Sequence, residues 1–276
     1  KEAGLDVDII EPGDNATTSM VAAGKADFGV SYQEDVTYAL TSEDPLPIKT
    51  IATIIQHNTS GFVSLKSANI NSVKDFEGKT YAGWGAPSEE AVIKAVMNEA
   101  GADFSKLNIV GSDGSGIAGL SDEVGKNKVN LGWEFYGWAI IKALQDGYDL
   151  NYMPLADLDN RLDYYTPVII TNKKMIKKNS DTVKKFMEAT KKGYEYAIDH
   201  PSKAAEILHE DALSDTDLKF LKESQKYLSS QYAKDADSWG VMKDSVWDNY
   251  TDFMYETGLI SQKIDAKDQY TNEFVK

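Results

Sequence analysis

Cysteine is absent from the 276 residues, arginine occurs once, at Arg161, and histidine three times. Without cysteine there can be no disulfide, no thiolate metal site and no thiol nucleophile, and the chain suits a compartment where free thiols would be oxidised. One arginine leaves little means of gripping a carboxylate, sulfonate or phosphate with two parallel hydrogen bonds, so a strongly anionic ligand is disfavoured. The 29 basic residues are outnumbered by 44 acidic ones, giving a net charge of -15, and this argues against nucleic acid and against docking on an anionic membrane. His57, His200 and His209 are scattered and the acidic pairs lack calcium-loop spacing, so no metal is expected. No apolar run is long enough to span a bilayer, and no leader pattern of basic start, apolar run and small-residue cleavage site is present. The chain starts abruptly at Lys1-Glu2-Ala3-Gly4 and enters a strand-like run at once, so further residues are expected upstream of Lys1.

What is there alternates between strand and helix, the pattern of an α/β protein with largely parallel sheets. Strands are expected over 5–10 and 27–31, with a turn at 12–15 and a short helix ending at Gly24 between them. A helix follows over 33–40. A long apolar run from 48 to 65, broken at 56–61, suits a strand crossing between lobes. The pattern then restarts, with strands over 80–83, 107–110, 129–133 and 152–155 and helices from Pro87 and from Tyr136. Residues 164–171 read as an extended return, and from 181 onward apolar residues at three- and four-residue spacing predict a helical region. The expected lobes are 1–63 with 166–276, and 64–165.

Three segments carry a resemblance. Residues 14–31, a helix running to a small-residue turn and the Asp27-Phe28-Gly29 strand, resemble type II periplasmic-binding-protein folds in general. Tyr81-Ala82-Gly83-Trp84-Gly85-Ala86-Pro87-Ser88-Glu89-Glu90-Ala91 and Gly132-Trp133-Glu134-Phe135-Tyr136-Gly137-Trp138 are more specific. They resemble two second-lobe signatures of the branch that binds the pyrimidine precursor of thiamine, the thiamine biosynthesis-like substrate-binding proteins of ABC transporters. The resemblance implies a two-lobed α/β fold, capture of an aminopyrimidine-like nutrient between the lobes, and a membrane permease as partner. It also implies an extracytoplasmic place, periplasmic or lipid-anchored as a lipoprotein at the bacterial cell surface, a monomer, no cofactor and no reaction. Members of the branch begin with a further strand and helix whose connecting loop carries an Asp-Trp-type motif, and that segment is expected upstream of Lys1.

Ligands of such folds sit at strand carboxyl ends and helix amino ends, so residues at those junctions are the candidates. Trp84 and Trp133, flanked by glycine or turn residues, could stack on a flat heterocycle. Glu134, between two aromatic residues, needs a partner, and an aminopyrimidine offers an amine and a ring nitrogen; an ion pair with a lysine is the alternative. Pro87, Ser88 and Glu89 open the helix after Trp84, although the helix dipole alone accounts for an acid there. Tyr136 opens the helix after Glu134. On the other lobe the candidates are Tyr32, Gln33 and Glu34, after the 27–31 strand, and His57, which could equally be a hydrogen-bonded hinge residue. Trp138, Trp239 and Trp247 are read as core. The glycine-rich 111–119 segment lacks a P-loop ending and reads as a loop over the cleft that could offer the N-H groups of Ser112 and Gly114. A sulfonate, nitrate or riboflavin carrier is the nearest alternative. A pyridoxal-phosphate-dependent pyrimidine-synthesising enzyme of the same fold, which the chain resembles distantly, is the further one, and the cysteine-rich motif on which such enzymes look to depend is missing.

Overall fold

A computed structural model describes residues 3–13, 16–125 and 128–276 of the chain. Asp14 and Asn15, expected in the first turn, lie outside the described residues. The chain forms two compact units, one comprising the chain up to His57 with Tyr164–Lys276, the other Asn58–Asp163.

The first unit is built on a three-stranded sheet of β1 (Phe28–Ser31), β2 (Ile48–Thr53) and β8 (Val168–Asn172), in the order β1-β8-β2. Every residue of β8 is buried, as expected for a central strand that packs on both faces. Both neighbours run antiparallel to it, with Gly29 opposite Ile170 and Thr50 opposite Ile170. The expectation of a mainly parallel sheet therefore fails in this unit. The chain returns through β8 after its excursion into the second unit, and that return strand inserts between two strands of the opposite sense. Residues 5–10 form no strand either. No strand of this sheet pairs with them, and Val7, Ile9 and Ile10 are exposed, Ile9 by 96%.

Helices cover both faces. On one side β2 and α7 (Ser180–Asp199) bury Ile51, Val183 and Met187 with Trp239, whose Nε1 donates to the Ile54 carbonyl at 3.2 Å. On the other, α1 (Thr17–Ala22), α2 (Gln33–Thr41) and α10 (Asp244–Glu256) bury Val21, Val36 and Trp247 against Ile48 and Val168. Trp239 and Trp247 are packing residues, as expected, whereas Trp138, also read as core, is 48% exposed. Between β8 and α10 the chain adds α6 (Lys173–Lys178), α8 (Pro201–Asp211) and α9 (Leu218–Ser229), and after it α11 (Ala266–Gln269).

The second unit carries β3 (Ser60–Leu65), β4 (Thr80–Gly83), β5 (Asn108–Gly111), β6 (Leu131–Phe135) and β7 (Leu150–Pro154), in the order β5-β4-β6-β3-β7. β4 runs parallel to β5 and β6, and β3 is antiparallel to β6 and β7, so the sheet is mixed. Residues 58–63, expected in the first lobe, belong to this unit because β3 finds all its partners here. Its helices are α3 (Pro87–Glu99), α4 (Ile141–Gln145) and α5 (Leu155–Leu158). Residues Tyr136–Ile140, expected to open an α-helix, instead form one turn of π-helix leading into α4. Because β4, β5 and β6 point the same way, their carboxyl ends, at Gly83, Gly111 and Phe135, share one edge of the sheet.

Candidate functional site

Three turns leave that edge, and each contributes to a cavity of about 750 Å³ contained in the second unit. The turn after β4 brings Trp84. The end of β6 brings Trp133, Glu134 and Phe135, and the loop after β5 brings Ser112, Asp113 and Ser115. β-sheet alternation sets the directions at β6: Trp133 lies opposite Phe62 on β3, and the two rings meet edge to face at 5.7 Å. Its other neighbour is Trp84, with ring centroids 5.1 Å apart and planes inclined by 63°. Trp84 is 58% exposed and Trp133 is half-buried, its Nε1 without a hydrogen-bond partner among the described residues. The two indoles thus form a ledge rather than a core contact.

Glu134 stands beside them. No ion pair or hydrogen bond of its carboxylate is found among the described residues, and burial is the one influence on it, so the expected alternative of a lysine partner is not seen among them. Its backbone carbonyl accepts from the Tyr152 hydroxyl at 3.4 Å. Burial alone pushes the Glu134 carboxyl above the usual carboxylate range. The loop after β5 comes close: a methyl group on Gly116 would lie 3.6 Å from Glu134 Oε1. Among the described residues lining the cavity there are two acids, Asp113 and Glu134, and no lysine, arginine or histidine.

The 111–119 loop lines the cavity, and three of its amides, those of Ser112, Gly114 and Ser115, are used within the unit. Ser112 N-H donates to the Gly83 carbonyl at 2.7 Å, extending the β4–β5 ladder. Gly114 N-H donates to Ser112 Oγ at 3.2 Å and Ser115 N-H to Asp113 Oδ1 at 2.9 Å. The expectation that Ser112 and Gly114 amides are free for a ligand is corrected on this point.

The other candidates fall elsewhere. Pro87 is exposed at the start of α3, and Ser88 is buried behind it; neither lines the cavity. Glu89 is buried and bonded within its own turn, accepting from the Tyr81 hydroxyl and from Trp84 and Gly85 N-H. Tyr136 packs edge to face on Tyr152 at 5.4 Å, against the cluster of Val63, Ile117, Ile140 and Ala143. Four candidates belong to the first unit. Gln33 is fully buried there, accepting from Tyr165 N-H at 2.8 Å and donating to the Val246 carbonyl at 3.3 Å, so its polar atoms are used inside the fold. Tyr32 precedes α2 and is exposed. Glu34 Oε2 is buried with no hydrogen-bond partner among the described residues, and burial, then the nearby Asp35, pushes its carboxyl up to about 7 against a Tyr164 hydrogen bond that lowers it. His57 lies 3.6 Å from Asp235.

Sequence reasoning missed Phe135, Asp113 and Ser115 as cavity residues. The signal for Phe135 was its place between Glu134 and the helix start. For the loop, the available signal was the alignment of β5 with β4, which a lone glycine-rich stretch does not reveal.

This geometry, with turns at the carboxyl edge of parallel strands around an aromatic cavity, is the arrangement of a ligand-binding α/β fold. The chain belongs to the NMT1/THI5-like family, whose model matches residues 1–204. It is similar to the formylaminopyrimidine-binding protein of Halalkalibacterium halodurans, 28% identical over 218 residues, which cover 75% of this chain. The match spans 61% of that relative's length. It is also similar to the 4-amino-5-hydroxymethyl-2-methylpyrimidine phosphate synthase of Legionella pneumophila, 21% identical over 285 residues, 99% of this chain and 84% of that one. Its fold is shared with the alkanesulfonate-binding protein SsuA of Xanthomonas axonopodis pv. citri, at a TM-score of 0.67 and 11% identity, covering 92% of this chain and 83% of that chain. Among the described residues no helix is long and apolar enough to cross a membrane.

Proposed function

We propose that this chain is the substrate-binding protein of an ABC importer and that it captures an aminopyrimidine, a precursor of the thiamine pyrimidine, on the Trp84–Trp133–Glu134 ledge. The observation that carries this reading is the pairing of two indoles 5.1 Å apart with a neighbouring carboxylate that has no partner of its own among the described residues. A flat ring laid against an indole gains about 0.5–1.5 kcal/mol beyond area burial. An aminopyrimidine can then donate from its exocyclic amine to Glu134, at about 1.5–3 kcal/mol for a hydrogen bond to a charged group. The ligand supplies what the fold leaves out, a donor for a desolvated acid. A membrane permease is the partner this function requires, in an extracytoplasmic setting.

The sulfonate alternative fits the cavity poorly, because its described lining holds two acids and no cation. Similarity to a pyrimidine phosphate synthase along 99% of the chain favours an enzyme as the second reading. Against it stand the absence of cysteine from the sequence and the lack of a lysine among the described cavity residues to form an imine. Mass spectrometry of the molecule released from purified, denatured protein, with calorimetry of formylaminopyrimidine against an alkanesulfonate, tests the reading. Binding of the pyrimidine and not the sulfonate is expected. Tight sulfonate binding with a silent pyrimidine titration overturns it, and a pyridoxal-phosphate absorbance band on incubation with that cofactor favours the enzyme.

A further inference from the structure

Glu89, at the third position of α3, is buried, and its carboxylate is turned back out of the helix. Oε1 accepts from the Tyr81 hydroxyl and, at 3.2 Å, from Trp84 N-H; Oε2 accepts from Gly85 N-H at 2.9 Å. The residue before α3, Ala86, makes no side-chain cap. A glutamate at this helical position ordinarily reaches back to the N-H of the capping residue. Here it reaches one and two residues further, and so ties the turn between β4 and α3. The strand end is built to receive it. Gly83 leaves the space that the carboxylate fills, and a methyl group there would overlap it. Tyr81 is fully buried and lies edge-on to Phe62 at 6.2 Å, and burial pushes its hydroxyl up, so it stays protonated and donates to the carboxylate.

Trp84 itself is 58% exposed. With one face of the ring on Trp133 and most of it open, the bonded backbone is needed to hold the indole in one place. We propose that Glu89 is a positioning residue, whose carboxylate fixes the Trp84–Gly85 backbone and thereby aims the Trp84 indole into the cavity. The role rests on the proposed function only in that the aimed ring meets a ligand. It also accounts for an acid that sequence reasoning placed in the ligand set but that the structure turns away from the cavity.

The test labels the intact protein with 5-fluorotryptophan, giving one fluorine resonance for each of its five tryptophans, with Trp84 assigned through Trp84→Phe. Glu89→Gln keeps the size of the side chain but replaces one acceptor oxygen with an NH₂ that faces donors. The Trp84 resonance is expected to shift or broaden in this variant while those of Trp239 and Trp247 stay in place. Affinity for formylaminopyrimidine is expected to fall about two- to tenfold, the loss of a well-placed stacking ring. An unmoved Trp84 resonance overturns the proposal, whether or not affinity changes. If wild-type protein binds no pyrimidine, the proposed function fails while the resonance still decides the role of Glu89. Should Glu89→Gln collapse all five resonances, Tyr81→Phe decides instead. It removes one donor from the carboxylate, and a shifted Trp84 supports the role while an unshifted one overturns it.

Discussion

An exposed indole, a half-buried indole and an acid with no partner among the described residues do different things for a ligand, and substitution separates them. Removing either ring, by Trp84→Ala or Trp133→Ala, should weaken binding of an aminopyrimidine by an order of magnitude or more, since each loses ring area as well as stacking. Calorimetric affinity unchanged in both variants would take the ledge out of the site. Glu134→Gln is the sharper probe. The amide keeps the shape, accepts through one oxygen and presents an NH₂ to the ligand's own donors, so a loss of about 10- to 100-fold is expected from one charged hydrogen bond. Equal affinity for wild type and variant would mean that Glu134 faces solvent in the complex. Why these residues were legible and Glu89 was not follows from local chemistry. Gly83 and Gly85 on either side of Trp84 mark the end of β4, where a large ring has nowhere to bury itself locally, and Gly132 before Trp133 lies within β6, two residues from the turn at its end. Nothing in Glu89-Glu90 says which acid turns inward, because that depends on the space Gly83 leaves and on a tyrosine eight residues upstream.

At the scale of the element, β3 holds the second unit together, and Gly61 is its tightest point. It lies opposite Glu134 on β6 and Pro154 on β7. A methyl group there would overlap the Met153 carbonyl and come within 2.7 Å of the Tyr152 ring. Gly61→Ala should therefore destabilise by about 1–3 kcal/mol, the usual range for overpacking. It should also weaken ligand binding, since the Tyr152 hydroxyl bridges the Thr59 carbonyl at 2.8 Å and the Glu134 carbonyl at 3.4 Å. Urea denaturation reads the first effect, and a variant as stable as wild type would show that β3 can shift to make room. Strands such as β4 and β6 were readable as apolar runs ending in glycine or aromatic turns. The sense of β8 was not, because a strand buried on both faces has the same composition whether its neighbours run with it or against it. Residues 5–10 alternate like a strand yet form none, since alternation supplies a face and only a neighbouring strand supplies the hydrogen bonds. The π-turn at Tyr136–Ile140 was hidden for a related reason: one turn of wider helix shifts the apolar pattern by less than periodicity resolves.

For the molecule as a whole, the return of the chain through β8 was readable as an extended segment before a helical tail. The place where the second unit begins was not, because β3 takes its partners from strands about seventy and ninety residues later. A net charge of -15 makes the pH dependence of stability a property of the entire chain, and one acid stands out within it. Glu34 on α2 is faced by Asp35 and Tyr38 from its own helix, by Tyr164, and by Tyr250 from α10, with no cation among these groups. Burial first, and Asp35 second, push its carboxyl from 4.5 to about 7. A folded-state value above the unfolded one means the native protein holds the proton more tightly. Stability from this group is therefore full below the unfolded value of 4.5 and is lost as pH rises to about 7. Glu34→Gln removes the charge that the fold disfavours. The variant should match wild type near pH 4 and exceed it by about 1–3 kcal/mol at pH 8, an order-of-magnitude figure from the size of the shift. Denaturant unfolding at the two pH values measures the difference. A variant less stable than wild type at pH 8 would mean that the charged form of Glu34 is held by a partner, and the buried oxygen without one would then have to be reinterpreted.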